Sequence, residues 1–279
     1  MDINMRAVKP NAKIALKNKW VEAILVFLCL ATVCIAEYCT VLLFSSLFGA
    51  TAIYSLFLPS EFLELATLPN IALGIVKAAL LLTVTMPFGM GVFRWYFRMP
   101  DEKNDSLSGI FYYYSSAKRF KRALTSGGIL LLSLFLIGAV SMIPFYISSA
   151  LSSAKFYQFL GINMPAYAHL SVFTTVFRVL GAAIYFLLAI RLIWYLPMCV
   201  VFENKTPKEL LRATFAIFKF FMGHTVSLAF SFFGWYLLSL LVIPMIYTVP
   251  YFITSCCTFF RYAINNYNIY FKSYPNAAF

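Results

Sequence analysis

The chain reads as an all-α, polytopic transmembrane helix bundle, and three observations predict it. Of its 279 residues, 62% are apolar and 11% charged, with a mean hydropathy of +0.83; soluble domains carry about 25% charged residues. Apolar runs of about 20 residues recur, each long enough to cross about 30 Å of hydrocarbon. Eighteen of the 22 Lys and Arg residues flank these runs in four groups: five in 1–20, seven in 94–122, four in 203–223 and two in 261–272. The expected architecture is one membrane domain over 1–279, with about six spans and cytoplasmic amphipathic interfacial helices.

The net charge of +12 does not point to nucleic acid, because the cations border the apolar runs instead of forming a separate basic domain. The positive-inside rule places all four groups, and the N-terminus, on the cytoplasmic side of the membrane. The six cysteines lie in or beside apolar runs without metal-type spacing and read as packing residues. About 20 polar and basic residues precede the first run and no small-residue cleavage site follows it, so that run is expected to remain as a span.

In order, residues 6–20 place Lys9, Lys13 and Lys17 four apart, the spacing of a short basic surface helix beyond Pro10. Trp20 marks the interface before a span at about 21–43. An apolar outer loop follows, with a short helix expected between Pro59 and Pro69. The second span, 71–93, has Pro87 near its exit, with Arg94, Trp95 and Arg98 at the inner interface. Residues 101–106 form a polar turn, and a basic cluster, Lys118, Arg119, Lys121 and Arg122, leads into a third span at 123–147. An outer loop near 148–169 precedes the fourth span, 170–198. Thr206, Pro207 and Glu209 have the spacing of a capping box with a first-turn proline. They open an amphipathic helix over 206–224, closed by Gly223 as its C-terminal cap, with Lys208, Arg212 and Lys219 on one stripe. The fifth span follows at 225–242. A sixth, 246–264, spans if the chain turns near Pro244 and otherwise lies on the outer surface. A basic helix followed by an outward and an inward span thus recurs with a period of about 100 residues.

Two sets of residues are candidates for function. Glu37, Lys77 and Arg178 fall at similar depth in the outer half of the bilayer, where an unpaired charge is costly. Either Glu37 pairs with Lys77 or Arg178, or both cations snorkel to the surface. Lys118, Arg119, Lys121 and Arg122, with Lys208, Arg212 and Lys219, are candidate contacts to anionic lipid, each worth about 1 kcal/mol at a charged surface; the alternative role is topological anchoring. Enzyme signatures are missing. His169 and His224 fall on opposite predicted sides of the membrane, no GxSxG, P-loop or HExxH occurs, and Glu61 with Glu64 reads as a solvated pair. No cofactor is expected.

The segments NAKIALKNKWVEAI, MPFGMGVFRWYFR with DSLSGIF, LLRATFAIFKFFMGHTVSLAFSFFGWYLL and VPYFITSCCTFFRYAI resemble, in that order, a bacterial integral-membrane family catalogued as domain of unknown function nine-seven-five. The chain departs from it at Met222, where a basic residue is common, and at Asn18, where glycine is. The resemblance implies a polytopic membrane protein and brings no reaction, ligand or catalytic residue with it. The sequence is thus consistent with a non-enzymatic membrane scaffold or partner subunit in contact with the lipid bilayer, including anionic lipid and a membrane protein partner. The alternative is a small transporter or permease component using Glu37, Lys77 and Arg178.

Overall fold

A computed structural model describes residues 5–49, 68–101, 106–151, 169–239 and 242–273. The predicted outer-loop helix between Pro59 and Pro69, with Glu61 and Glu64, lies outside them apart from Leu68 and Pro69, as does most of the second outer loop. The described residues are helical and contain no strand. Five helical segments are long and apolar enough to cross a membrane: Trp20–Phe48, Leu68–Arg98, Ala117–Ser141, Thr174–Val201 and Pro207–Ser231. The chain is a multi-pass membrane protein by this measure.

The elements in order are α1 (Met5–Leu16), α2 (Trp20–Phe48), α3 (Leu68–Leu80), a π-helical turn (Leu81–Thr85), α4 (Met86–Arg98), a 3-10 turn (Met99–Asp101) and a 3-10 segment (Leu107–Tyr114). Next come α5 (Ala117–Ser141), α6 (Ile143–Leu151), α7 (His169–Ala189), a 3-10 turn (Ile190–Trp194), α8 (Tyr195–Val201), α9 (Pro207–Ser231), α10 (Phe233–Ser239) and α11 (Val242–Ser273). The predicted third span is two helices, because the chain turns at Met142 ahead of Pro144.

The capping box forms as its sequence predicts. The Glu209 amide donates to Thr206 Oγ1, and the Thr206 amide donates to the Glu209 carboxylate at 3.2 Å. The predicted end does not. Helix α9 runs through Gly223 to Ser231 and breaks at Phe232, so the surface helix and the first seven residues of the predicted fifth span are one continuous helix. Gly223 has no left-handed φ; among the described glycines only Gly49 does. The predicted sixth span lies inside α11, which carries Pro250 without ending there.

The contacts divide the chain into two compact units. The first comprises residues 1–36, 82–127 and 194–279, the second 37–81 and 128–193. The division coincides with charge: the first unit holds 18 Lys and Arg against seven Asp and Glu, a net +11, and the second four against three, a net +1.

The first unit has an aromatic core. Trp194, Tyr96, Tyr113, Tyr195 and Phe232 are fully buried, and Trp194 meets Phe260 edge-on at 4.4 Å and Phe259 at 5.5 Å between ring centroids. Helix α1 departs from the expected surface helix. It begins before Pro10, at Met5, and its stripe Val8, Ala12 and Leu16 is wholly buried. It packs against α11, where Asn11 donates to the Tyr262 hydroxyl. In the second unit, Val41 of α2 packs on Leu73 of α3. Gly181 of α7 lies so close to the Ser141 carbonyl and Met142 that a Cβ there would collide with both, the use of a small residue that lets membrane helices approach. Helices α9, α10 and α11 lie entirely in the first unit, so the third hairpin is not equivalent to the first two, whose outer portions make up the second unit.

Gly223→Ala tests the continuous helix. A Cβ at Gly223 meets open space, so the variant should gain about 0.5–1 kcal/mol of stability by thermal unfolding in detergent, the usual difference between Ala and Gly inside a helix. A C-terminal cap would show a loss. Thr206→Ala should cost about 1 kcal/mol in the same assay.

Candidate functional site

The segment joining α4 to α5 forms the most polar described constellation, and two backbone features position it. Gly91 gives the 3-10 segment Leu107–Tyr114 its seat on α4: a Cβ there would occupy the place of the Ile110 carbonyl. Pro87 has no amide hydrogen, so it cannot supply the i to i−4 bond to the Thr83 carbonyl. The adjoining π-helical turn widens the helix at the same level, as such turns do beside functional sites. The Tyr114 hydroxyl fills the gap, directed at the carbonyls of Val84 at 2.7 Å and Thr83 at 3.2 Å.

Around this seat, two guanidinium groups, one tyrosine ring and one carboxylate gather. Arg94 is buried, its side chain 8% exposed, with Nε 3.8 Å from Glu203 Oε1. The guanidinium groups of Arg94 and Arg119 lie over the Tyr112 ring at 3.5 and 4.1 Å from its centroid, within cation–π range. The Tyr112 hydroxyl donates to Glu203 Oε2 at 2.9 Å. Burial, and then the Glu203 carboxylate, raise the Tyr112 phenol above its ordinary pKa against the opposing pull of the arginines; burial raises Tyr113 and Tyr114 too. These phenols therefore stay protonated, and those of Tyr112 and Tyr114 act as donors. Arg119 also donates to Ser115 Oγ at 2.7 Å.

A cavity of about 560 Å³ opens here, lined by Arg94, Ser106, Ser108, Tyr112, Tyr114 and Ser115. Beside it an apolar groove of about 710 Å³ runs along Leu25, Leu28 and Val33 of α2 and Val84 and Phe88. Phe111 and Tyr114 line both. The polar side offers donors for an anion; among the described residues no group of three His, Cys, Asp or Glu could hold a metal.

The residues singled out in the sequence fall in several places. Lys118, Lys121, Lys208, Arg212 and Lys219 are exposed, as is Arg119. Arg122 is turned inward instead: it donates to the Phe202 carbonyl at 2.7 Å, to that of Cys199 at 3.3 Å and to that of Glu203, closing the C-terminal end of α8. Glu37, Lys77 and Arg178 all belong to the second unit. Glu37 and Lys77 are half-buried. The contacts Lys19 to Met99 and Tyr96 to Ala23, with Val41 on Leu73, set α2 antiparallel to α3 and α4. Glu37 lies one turn before Val41 and Lys77 one turn after Leu73, so register places the two at the same level. Arg178 is exposed and lies over the Phe145 ring at 4.7 Å. The sequence did not single out Tyr112 or Glu203, and marked Arg94 only as an interface residue. The run FYYYSS beside a basic cluster was the available signal.

No family model, curated protein or solved structure matches the chain.

Gly91→Ala should displace the 3-10 segment and cost about 1–3 kcal/mol, the range for overpacking, read as a lower melting temperature. Gly89→Ala, two residues away with open space around its Cβ, should not lower it.

Proposed function

We propose that this chain is a non-enzymatic scaffold or partner subunit of a bacterial cytoplasmic membrane, with a cytoplasmic N-terminus and a basic unit facing anionic lipid. The resemblance to the nine-seven-five family fits that reading. One observation carries it: cations of the basic unit are spent on main-chain carbonyls at or near helix C-terminal ends. Lys9 donates to the Ser231 carbonyl of α9 at 2.6 Å and lies over the Phe232 ring at 4.3 Å. Arg261 donates to Phe97 near the end of α4, Lys19 to Met99 just beyond it, and Arg122 closes α8. Cations are stabilising at the negative end of a helix dipole. Together these bonds tie distant segments into a fixed frame, whereas alternating access needs one group of helices to move against another.

The transporter reading rests on Glu37 and Lys77 at one level of the α2–α3 pair. Vesicles containing the full chain separate the two. The scaffold reading predicts no proton or solute flux above protein-free vesicles, and no change with Glu37→Gln. A flux lost in Glu37→Gln would establish the transporter instead. Recovery from the native membrane in mild detergent should also yield one membrane protein in fixed ratio to the chain.

A further inference from the structure

We propose that the polar cavity and the apolar groove form one binding site for a single anionic phospholipid. The headgroup phosphate would lie among Arg94, Arg119 and the serines, and an acyl chain along α2. The proposal deepens the anionic-lipid contact of the scaffold reading by naming a site for it, distinct from the exposed stripe of Lys208, Arg212 and Lys219.

The cavity carries the chemistry of a phosphate site. Arg94 lines it and Arg119 lies at its edge over the same ring, guanidinium groups being among the strongest recognisers of phosphate, and the Ser106 and Ser108 hydroxyls stand beside them. Ser106 and Ser108 are already paired at 2.5 Å between their Oγ atoms, so one of the two hydroxyls keeps its proton for a ligand. The Glu203 carboxylate is met by Arg94 at 3.8 Å and by the Tyr112 hydroxyl, and Arg119 lies beside them over Tyr112, in a unit of net charge +11.

The groove decides which anion. Its hydroxyls are turned to the main chain, Thr32 Oγ1 donating to the Leu28 carbonyl at 2.9 Å and the Tyr114 hydroxyl to that of Val84 at 2.7 Å, leaving a surface suited to hydrocarbon and poorly suited to a peptide backbone. Leu25, Leu28, Val84 and Phe111 are more than a third exposed, so the groove is open to a chain arriving from the bilayer. From Leu25 to Val33 it extends about 12 Å along the helix, starting five residues from the interfacial Trp20. Phe111 and Tyr114 form walls of both compartments, so one molecule with an anionic head and an apolar tail fills both.

The test is lipid retention by the purified full chain, measured by native mass spectrometry after titration with phosphatidylglycerol or phosphatidylcholine of identical acyl chains. One phosphatidylglycerol should be retained at least about tenfold more tightly than phosphatidylcholine. Leu28→Trp fills the groove without changing charge, and Arg119→Gln weakens the head site; each should lose about tenfold in affinity. The double variant Lys208→Gln, Arg212→Gln should lose less than twofold, because neither residue lines the cavity or the groove. If Leu28→Trp does not fold, Leu25→Trp takes its place. Retention unchanged in the groove variant would sink the proposal. So would full displacement by inorganic phosphate, which marks a free-anion site, or an equal loss in the double variant, which marks diffuse surface attraction. None of these outcomes bears on the flux test, so the scaffold reading stands or falls separately.

Discussion

A main-chain carbonyl left bare at the end of a helix costs several kcal/mol where water is scarce, and much of this fold answers that constraint with charge. The C-terminal end of α9 is met by Lys9, that of α8 by Arg122, and the region around the end of α4 by Lys19 and Arg261. None of these bonds is local: the partners are 77 to 222 residues apart in sequence. Each does two things at once, satisfying a helix end and fixing one segment of the basic unit against another. Lysine and arginine suit this task because their long apolar stems can lie along buried surface while the cation reaches the carbonyl.

The same economy explains why the compact units and the charge groups coincide. A segment bordered by cations is drawn to headgroups by the positive-inside bias, and once there its cations find helix ends to close. The remaining chain, carrying Lys77, Arg178 and few other charges, packs by apolar contact and close approach, as at Val41 with Leu73 and at Gly181.

Much of this was legible before the structure. The capping box at Thr206 rests on three residue types at a fixed spacing, which is local information, and it forms as read. Gly223 was misread because glycine after an apolar face looks the same whether the backbone turns left-handed there or simply continues; only φ distinguishes them. The surface reading of α1 weighted Lys9, Lys13 and Lys17, while Val8, Ala12 and Leu16, equally four apart, carried the opposite message. A helix with two such stripes is half-buried, and the spacing alone contained that fact. The Arg94, Tyr112 and Glu203 constellation was illegible for another reason: Glu203 lies 91 residues from Tyr112, and no local pattern specifies which carboxylate a tyrosine will meet.

The third hairpin shows how these effects compound. Its helices α9, α10 and α11 repeat the basic-then-apolar pattern of the first two, so a pattern of period about 100 residues treats all three alike. Yet Lys9 holds the far end of α9, and Phe232, at the break that follows, packs edge-on against Phe252 and at a tilt against Tyr251 of α11. Both contacts draw the break back into the basic unit, and the buried stripe of α1 against α11 does the same. What separates this hairpin from the others is therefore not its hydropathy but the partner its turn acquires: a cation from the N-terminal helix closes α9 and an aromatic cluster covers Phe232. Hydropathy determines that a segment can enter the bilayer, and the satisfaction of its ends determines which neighbours it keeps.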